Sequence, residues 1–237
     1  MSPSSLWSPE TSSAEIRPAD TAPAASALAE AQTLRLNTRH LRAGSTGPLA
    51  EAARWGVLPL PVGRFSLHEI HPKRDLPLLH AWMNDPEVAR WWELTGDEEV
   101  VRRYLAGQAA SSHSSAYLGC LDDEPVGYWE LYRADLDELA RHYPARPHDV
   151  GIHLLIGPAA RRGRGIGAVL LRAVTELVLR AAPDTMRVVA EPDVRNQASV
   201  RAFGRAGFRH LGELELPDKT AALMMRPRTP REAGGRP

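Results

Sequence analysis

The chain has 237 residues, of which 43% are hydrophobic and 24% are charged, a composition that predicts one sizeable core. Its 29 basic and 29 acidic residues cancel, so the net charge gives no support for a nucleic-acid or membrane-surface partner. A lone cysteine, Cys120, excludes an intramolecular disulfide, and no apolar run is long enough to span a bilayer. Residues 1–20 lack a signal-peptide pattern, so we expect a cytoplasmic protein.

Composition divides the chain into three parts. Residues 1–62 begin rich in Ser, Ala and Pro and continue with apolar residues that follow no period, which predicts a disordered or loosely docked extension. Residues 63–226 alternate strand-like and helix-like patterns and form the predicted domain. Residues 227–237 are rich in Arg, Pro and Gly and are predicted to be a disordered tail.

The first half of the domain starts with a short alternating strand. Its predicted elements are a strand at 64–70, helices at 75–84 and 97–108, and a hairpin of strands at 116–121 and 126–133. Asp85 followed by Pro86 marks the start of a further helical segment between the two helices.

The second half contains a strand with two distinct faces. In the strand at 149–157 every second residue from Val150 is apolar, and His153 lies on the opposite face. The elements that follow are a glycine-rich turn at 163–167, a helix to about residue 180, a strand at 187–190, a helix at 196–206, and strands at 208–216 and 221–225. This order predicts a mixed α/β fold with an antiparallel start and a parallel crossover after the glycines.

The glycine-rich turn reads Arg161-Arg162-Gly163-Arg164-Gly165-Ile166-Gly167-Ala168. Its N–H groups and the dipole of the following helix can converge on an anion. The dinucleotide-binding fingerprint matches it in letters, but that fingerprint follows its strand almost directly and this loop does not. A nucleoside-triphosphate loop would need Lys-Ser or Lys-Thr where Ala168-Val169 stands. A flexible surface turn is the remaining alternative.

Motifs around the turn favour a functional interpretation. Arg162-x-x-Gly165-x-Gly167, followed by Asn196 and by Ala202-Phe203-x-x-Ala206-Gly207-Phe208, resembles the acyl-coenzyme-A signature of the GNAT acyltransferase superfamily. The resemblance implies an α/β GNAT fold, with a central mixed, mostly antiparallel sheet and a splayed parallel strand pair. It also implies that pantetheine lies between the strands at 149–157 and 187–190.

The same resemblance assigns the binding of coenzyme A. The implied cofactor-binding residues are Arg162, Gly163, Arg164, Gly165, Ile166, Gly167 and Asn196. The loop amides would hold the pyrophosphate, and Asn196 would contact the cofactor. A helix N-cap explains Asn196 equally well, and the two roles can coexist.

A second set of motifs narrows the family. The segments are His71-Pro72-x-Arg74-Asp75-Leu76, His80-x-Trp82-Met83-Asn84-Asp85-Pro86, Trp91-Trp92-Glu93, Gly127-Tyr128-x-Glu130-x-Tyr132-Arg133, Val150-Gly151-Ile152-His153 and Glu191-Pro192-Asp193-x-Arg195-Asn196. Together they resemble the siderophore-biosynthesis acyltransferases, which move an acyl group from coenzyme A onto a hydroxylamine nitrogen and so form an iron-chelating hydroxamate. The resemblance leaves both ends of the chain unexplained.

His153 and Asp193 are the predicted catalytic residues. Acyl transfer to nitrogen needs a group that accepts a proton and needs no protein nucleophile. A histidine titrates near neutrality and can take that proton, although a hydrogen-bonded core histidine is the alternative. Asp193 follows the neighbouring parallel strand, so its carboxylate could orient His153 or the substrate nitrogen. The resemblance carries catalytic roles to both positions.

Candidate acceptor-binding residues are Trp82, Trp92, Glu130 and Tyr132, with Trp91 beside them. Aromatic residues at helical spacing are more often core than ligand contacts. Glu130 is the most informative, because a buried carboxylate in an apolar strand needs a cationic partner, which an acceptor amine or an arginine could supply. No metal is expected, because His142 and His148 lack further ligands at suitable spacing.

The sequence therefore predicts an acyl-CoA-dependent N-acyltransferase that uses acetyl-CoA or succinyl-CoA. Its expected acceptor is N-hydroxylated lysine, ornithine or cadaverine, and a homodimer is one expected assembly. An aminoglycoside N-acetyltransferase is the first alternative, but a polycationic acceptor favours an acidic pocket and the predicted centre is Arg-rich and contains His153. A non-catalytic acyl-CoA-binding module is the second, and the pairing of His153 with Asp193 argues against it.

Overall fold

The computed structural model describes residues 47–233. Residues 1–46 of the predicted extension and 234–237 of the predicted tail lie outside the described residues. Eight strands form a single sheet in the order β1-β2-β3-β4-β5-β6-β8-β7. The strands are β1 (Leu58–Leu60), β2 (Gly63–Glu69), β3 (Ser114–Leu121), β4 (Glu124–Arg133), β5 (Val150–Ile156), β6 (Arg187–Ala190), β7 (Arg209–Glu215) and β8 (Thr220–Pro227).

The helices connect these strands and cover the sheet. They are α1 (Pro72–Met83), α2 (Pro86–Trp92), α3 (Glu98–Ala110), α4 (Ile166–Ala181), α5 (Gln197–Arg205) and the short α6 (Pro230–Ala233). Asp85 caps α2 as predicted, because its side chain accepts a hydrogen bond from the N–H of Glu87 at 2.9 Å. No helix of the described residues is long and apolar enough to cross a membrane.

The two faces of the sheet carry separate apolar clusters. Successive side chains of a strand point to opposite faces, and β4 shows this directly. Trp129 packs in a cluster with the buried face of α4 and with Phe203 of α5, whereas its neighbour Tyr128 packs with α1, α2 and α3. The fold is thus a helix–sheet–helix sandwich, and the first three helices lie on the face that also carries His153.

Segments at both ends of the predicted domain are ordered. A 3-10 helix at Pro48–Arg54 buries Leu49 and Ala52 against β2 and β3, so this part of the predicted extension belongs to the core. At the other end, β8 continues to Pro227, and Glu232 of α6 accepts a hydrogen bond from Arg226 at 2.8 Å. The domain boundaries predicted at residues 63 and 226 therefore lie inside the folded unit.

The parallel pair β5–β6 is short and then opens. All other neighbouring strands in the sheet are antiparallel, as predicted. Only Val150 pairs with Val188 and Gly151 with Val189 across the parallel pair, although β5 continues to Ile156. The carboxyl-terminal part of β5 is therefore splayed from β6, and the residues that follow the last pair line the mouth of this opening.

A buried ion pair fixes the closed end of the opening. The Asp149 carboxylate precedes β5 and accepts hydrogen bonds from the Arg187 guanidinium at the start of β6, one of them 2.9 Å from Nε to Oδ1. Tyr143 donates its hydroxyl to the same carboxylate at 3.0 Å. Both charged side chains are buried. The opposite charge of each partner compensates the cost of removing the other from water.

Candidate active site

His153 lies on β5, two residues beyond the last β5–β6 pair. Its cross-strand neighbour on β4 is Glu130. The Trp92 ring of α2 meets the imidazole edge to face, with 6.2 Å between ring centroids. The side chain of His153 is 35% exposed, so it is open to the solvent at the mouth of the splay while its polar atoms face protein groups.

Carboxylates contact both ring nitrogens of His153. Nδ1 lies 2.8 Å from Oε2 of Glu130, and Nε2 lies 2.5 Å from Oε1 of Glu191. The Tyr132 hydroxyl is also 3.3 Å from Nε2. Glu191 directly follows β6, so the imidazole bridges the two strands at the point where they separate.

Glu130 is held by two tyrosines. Its side chain is buried on β4, where Tyr128 donates a hydroxyl to Oε1 at 2.8 Å and Tyr104 of α3 donates to the same oxygen. These donors occupy one carboxylate oxygen and leave the other for His153. The cationic partner that the sequence required for Glu130 is thus His153, in place of the predicted acceptor amine or arginine.

Glu191 has a similar set of donors. Tyr132 donates its hydroxyl to Oε2 at 2.9 Å, and the Lys219 ammonium lies 3.9 Å from Oε1. Gly151 makes this arrangement possible, because the Tyr132 ring lies directly over it and a Cβ there would overlap the ring. Tyr132 was predicted to bind the acceptor, and in the structure its hydroxyl connects Glu191 with His153.

These contacts change the ionisation of the site. Burial by itself lowers the pKa of His153, but the adjacent Glu191 and Glu130 carboxylates outweigh it and raise that pKa to about 10. Burial likewise raises the pKa of Glu191, and the imidazolium, Lys219 and the Tyr132 hydroxyl together lower it to about 2. At neutral pH the site therefore contains a protonated His153 beside an ionised Glu191, with the Glu130 side chain at the other ring nitrogen.

Asp193 does not make the predicted contact with His153. Its carboxylate accepts hydrogen bonds from the Arg195 guanidinium, at 2.6 Å for Nη2, and from the Arg195 backbone N–H at 2.7 Å. The turn after β6 folds the side chain back on residue 195, and Glu191 takes the position beside the imidazole. A catalytic role for Asp193 stays a prediction.

Glu191 is the site residue to which sequence reasoning gave no role. Glu191 and Asp193 both follow the strand at 187–190, two residues apart, and sequence alone does not show which one turns towards β5. Strand position offers one signal. Gly151 and Val189 form the last parallel pair, His153 comes two residues after Gly151, and Glu191 comes two residues after Val189. Tyr104 likewise carries no signal in the sequence beyond the amphipathic pattern of its helix.

The glycine-rich turn presents unpaired backbone donors. Gly163 and Gly165 adopt positive φ values of 71° and 81°, a conformation that favours glycine, and α4 begins at Ile166. Within residues 47–233, no protein acceptor receives a hydrogen bond from the N–H groups of residues 163–167. A helix start with free amides suits an anion such as a pyrophosphate, so the turn fits the predicted coenzyme A site.

The Arg162 side chain contacts other protein groups beside the turn. Its guanidinium donates to both carboxylate oxygens of Asp85, at 2.9 and 3.0 Å, and to the carbonyl oxygens of Ile156 and Gly157. Its backbone N–H donates to Ala159 at 3.1 Å. These contacts fix the turn to the end of β5 and the start of α2, and a cofactor role for Arg162 stays a prediction.

The other predicted cofactor residues have different surroundings. Arg164 is exposed on the turn, whereas the Ile166 side chain packs in the core and leaves only its backbone at the anion site. Gly167 faces Ala202 of α5. The Asn196 side chain caps α5 by accepting a hydrogen bond from the Ser199 N–H at 3.1 Å, and its amide nitrogen makes no hydrogen bond with the described residues.

The tryptophans near the predicted acceptor site divide into core residues and site residues. Trp82 is buried, and its ring covers Gly157, which directly follows β5. Trp91 lies on the outside of α2 against Arg90. Trp92 contacts His153 and is the predicted tryptophan that faces the reaction centre. Among the described residues, no group of three or more His, Cys, Asp or Glu side chains could hold a metal ion.

The chain is similar to known acyltransferases. A profile of the family described as "Acetyltransferase (GNAT) domain" matches residues 71–216. N(6)-hydroxylysine O-acetyltransferase of Escherichia coli is 40% identical over 65% of this chain and 49% of its own length. Lysine N-acyltransferase MbtK of Mycobacterium sp. (strain MCS) is 36% identical over 74% of this chain and 72% of its own length. The match to the first of these relatives thus spans about half of that protein.

Aminoglycoside acetyltransferases are also similar. Aminoglycoside N(6')-acetyltransferase type 1 of Klebsiella pneumoniae is 29% identical over 66% of this chain and 80% of its own length. The crystal structure of aminoglycoside acetyltransferase AAC(6')-Ib in complex with coenzyme A has a TM-score of 0.61 and 26% identity, and covers 69% of this chain and 95% of its own. An uncharacterized protein from Bacillus halodurans has a TM-score of 0.69 and 33% identity, over 73% of this chain and 89% of its own.

Proposed function

Because the chain belongs to the GNAT acetyltransferase family and is an acyl-CoA-dependent N-acyltransferase, we propose that its acceptor is an N-hydroxylated amine. The enzyme transfers an acetyl or succinyl group to the hydroxylamine nitrogen of hydroxylated lysine, ornithine or cadaverine. The product is a hydroxamate of siderophore biosynthesis. The reaction takes place in the cytoplasm, and assembly as a homodimer stays a prediction.

One observation carries this proposal: His153 lies at the mouth of the β5–β6 splay with a carboxyl oxygen at hydrogen-bond distance from each ring nitrogen, an arrangement that favours the imidazolium. A protonated imidazole cannot remove a proton from an ammonium group, so the acceptor has to arrive with a free lone pair. An alkyl ammonium group has a pKa of about 10.4 and is almost entirely protonated at neutral pH. An N-hydroxylamine is much less basic and is neutral there, so it matches the site.

The acyl donor is held by the glycine-rich turn in this proposal. The free N–H groups of residues 163–167 and the start of α4 bind the pyrophosphate, and the exposed Arg164 adds a positive charge. The thioester end then lies in the splay, beside His153. Asn196 has a free amide nitrogen at the same end of the sheet and contacts the donor from α5.

A specific observation keeps an aminoglycoside as a second candidate acceptor. The expectation of an Arg-rich centre is wrong, because the side chains that contact the ring nitrogens of His153 are the acidic residues Glu130 and Glu191. Asp137 adds a third negative charge whose field also acts on His153. An acidic centre attracts a polycation, and similar proteins are named for aminoglycosides.

The decisive experiment offers all acceptors in parallel. The full chain is incubated with acetyl-CoA or succinyl-CoA and with hydroxylysine, hydroxyornithine, hydroxycadaverine, the three parent amines and kanamycin. Thiol release measures turnover, and the coloured ferric complex identifies a hydroxamate. We expect thiol release and colour with at least one hydroxylated amine and much slower release with its parent amine. Efficient acetylation of kanamycin without any hydroxamate would overturn the assignment in favour of the second candidate.

A further inference from the structure

We propose that His153 acts first as a general acid and only then as a base, and that Glu130 and Glu191 are positioning residues that hold it as an imidazolium. This inference rests on the proposed function and defines how the same site handles protons. It assigns a role to Glu191 and changes the roles predicted for Glu130 and His153.

The geometry of the ring nitrogens carries the inference. A neutral imidazole has one N–H and one lone pair, so it can satisfy only one of two carboxylate contacts. In the structure, both nitrogens lie at hydrogen-bond distance from carboxylate oxygens, 2.8 Å on the Glu130 side and 2.5 Å on the Glu191 side. In a neutral ring, one of these contacts would bring a lone pair against an anionic oxygen. Only the imidazolium donates to both.

Both carboxyl groups are surrounded by hydrogen-bond donors. Phenolic hydroxyls reach Glu130 from α3 and β4 and reach Glu191 from Tyr132. Hydrogen bonds donated to a carboxylate favour its charged form. The charged and titratable groups around the imidazole are Glu130, Tyr104, Tyr128 and Tyr132 on β4 and α3, Glu191 after β6, Lys219 between β7 and β8, and Asp137 after β4. Lys219 is the one cation in this set, and it is closer to Glu191 than to the ring's other partner.

The proton balance of the reaction follows from this starting state. The neutral hydroxylamine nitrogen attacks the thioester carbonyl, and a carbon–nitrogen bond forms. As the carbon–sulfur bond breaks, the Nε2–H of His153 exchanges its hydrogen bond to Glu191 for one to the sulfur, and its proton passes to the leaving thiolate. The nitrogen became positively charged when it attacked the carbonyl, and it then gives one of its own protons to the neutral imidazole. The net result is one proton moved from nitrogen to sulfur, with the imidazolium restored between its two carboxylates.

Nuclear magnetic resonance tests the starting state without any substrate. Full-length protein with ¹⁵N-labelled histidine is titrated from pH 5 to pH 9, and a His153→Gln variant identifies the resonances of His153. We expect both ring nitrogens to keep imidazolium shifts up to at least pH 8. A His153 that titrates near pH 6.5, as an ordinary histidine does, would overturn the inference whether or not a hydroxamate is formed.

Kinetics tests the role of the two glutamates. The pH profile of kcat is measured at saturating acceptor for the wild type, Glu191→Gln and Glu130→Gln, with Glu213→Gln on the exposed strand β7 as the matched control. Loss of one carboxylate removes an interaction that favours the cation, so in either variant the fall of kcat at high pH should begin about one pH unit lower or more. Glu213→Gln should keep the wild-type profile.

Two outcomes would contradict the proposed roles. If kcat rises with pH through the titration of His153, the neutral ring is the active form and the acid role is wrong. If both glutamine variants lose activity without any shift of the profile while their melting temperatures are unchanged, the carboxylates act in some way other than by holding the charge of His153. The resonance measurement separates either result from a failure of the proposed acceptor.

Discussion

At the scale of single residues, the site depends on a glycine that leaves room for an aromatic ring. Gly151 faces Tyr132 across the β4–β5 ladder, and the Tyr132 ring fills the space that a Cβ would need. This position also explains why a hydroxyl from β4 can reach Glu191 after β6. The pairing of a small residue with a large one across the ladder is therefore part of the reaction centre as well as of the packing.

We expect Gly151→Ala to push the Tyr132 ring away from Glu191. The overlap should cost about 1–3 kcal/mol of unfolding free energy, as overpacking does, and should lower kcat. Tyr132→Phe is the matched variant, because it keeps the ring and removes only the hydroxyl that donates at 2.9 Å. Both variants should lower kcat, and only Gly151→Ala should lower the melting temperature strongly. Wild-type turnover in a folded Gly151→Ala protein would show that the ring position is not important.

The ionised histidine also predicts a pH dependence of stability. The pKa of His153 is raised to about 10 in the folded protein, above its ordinary value of 6.5. The stabilisation from its charge is therefore complete below about pH 6.5 and is lost as the pH rises towards 10. The effect is moderated by solvent, because the side chain is 35% exposed.

Urea denaturation between pH 6.5 and pH 10 measures this loss. The free energy of unfolding of the wild type, taken relative to His153→Gln, should decrease steadily over this interval. Glu191 contributes the opposite dependence at low pH, since its lowered pKa stabilises the fold above about pH 4.5 and less as the pH falls towards 2. A wild-type advantage that stays constant from pH 6.5 to pH 10 would contradict the assigned charge of His153.

The residue scale also shows where sequence reasoning stops. The face of His153 followed from the alternation of Val150, Ile152 and Leu154, because a strand has a strict period of two. The choice between Glu191 and Asp193 did not follow, since it depends on a turn whose conformation is set by the contact of Asp193 with Arg195. A side chain that lies beyond the end of a strand no longer follows the strand period, so its position in the folded protein cannot be predicted from sequence spacing.

At the scale of elements, the helices and strands with a clear period were predicted to within a few residues. Helix α1 starts at Pro72 and not at residue 75, because the Asp75 side chain accepts a hydrogen bond from the His71 N–H at 2.7 Å and so closes an additional turn. The 3-10 helix at Pro48–Arg54 was missed. It buries only Leu49 and Ala52, which are too few to produce a pattern.

The turn before α4 can be tested by adding one methyl group. Gly167 has no positive φ, and a Cβ there would be 3.9 Å from Ala202 Cβ and from Ile156 Cγ1, an ordinary contact distance. Gly167→Ala should therefore fold normally. Its methyl group would occupy space between α5 and the end of β5, where we place the acyl donor.

We expect Gly167→Ala to raise the KM for acyl-CoA roughly tenfold, equivalent to about 1.4 kcal/mol of lost binding, and to leave kcat nearly unchanged. Gly204→Ala on α5 is the matched control, because it is exposed and nothing lies within 4 Å of its Cβ position. A Gly167→Ala protein with wild-type donor affinity would contradict the placement of the donor at this turn.

At the scale of the whole molecule, the sheet is continuous and opens at one place. The ladders on either side of the opening are antiparallel, with seven residue pairs between β4 and β5 and four between β6 and β8, whereas β5 and β6 share two. The mixed order of strands and the splay were predicted from the family resemblance, and the structure confirms both. The buried pair of Asp149 and Arg187, which locks the closed end, was not predicted, because charged residues in a sequence carry no sign of their burial.

This ion pair gives the last prediction. Arg187→Met removes one partner and leaves the Asp149 carboxylate buried with only the Tyr143 hydroxyl and the Arg146 N–H as donors. Breaking a buried pair in this way costs about 3–5 kcal/mol, so the midpoint of urea unfolding should fall strongly. Arg141→Met is the matched control, since its exposed pair with Glu138 should contribute only about 1 kcal/mol or less. Because the pairing of β5 and β6 at this end sets the positions of His153 and Glu191, Arg187→Met should also lower kcat at temperatures where the variant is still folded. Equal losses of stability in the two variants would show that burial of the pair does not matter, and an unchanged kcat would show that the splay keeps its shape without it.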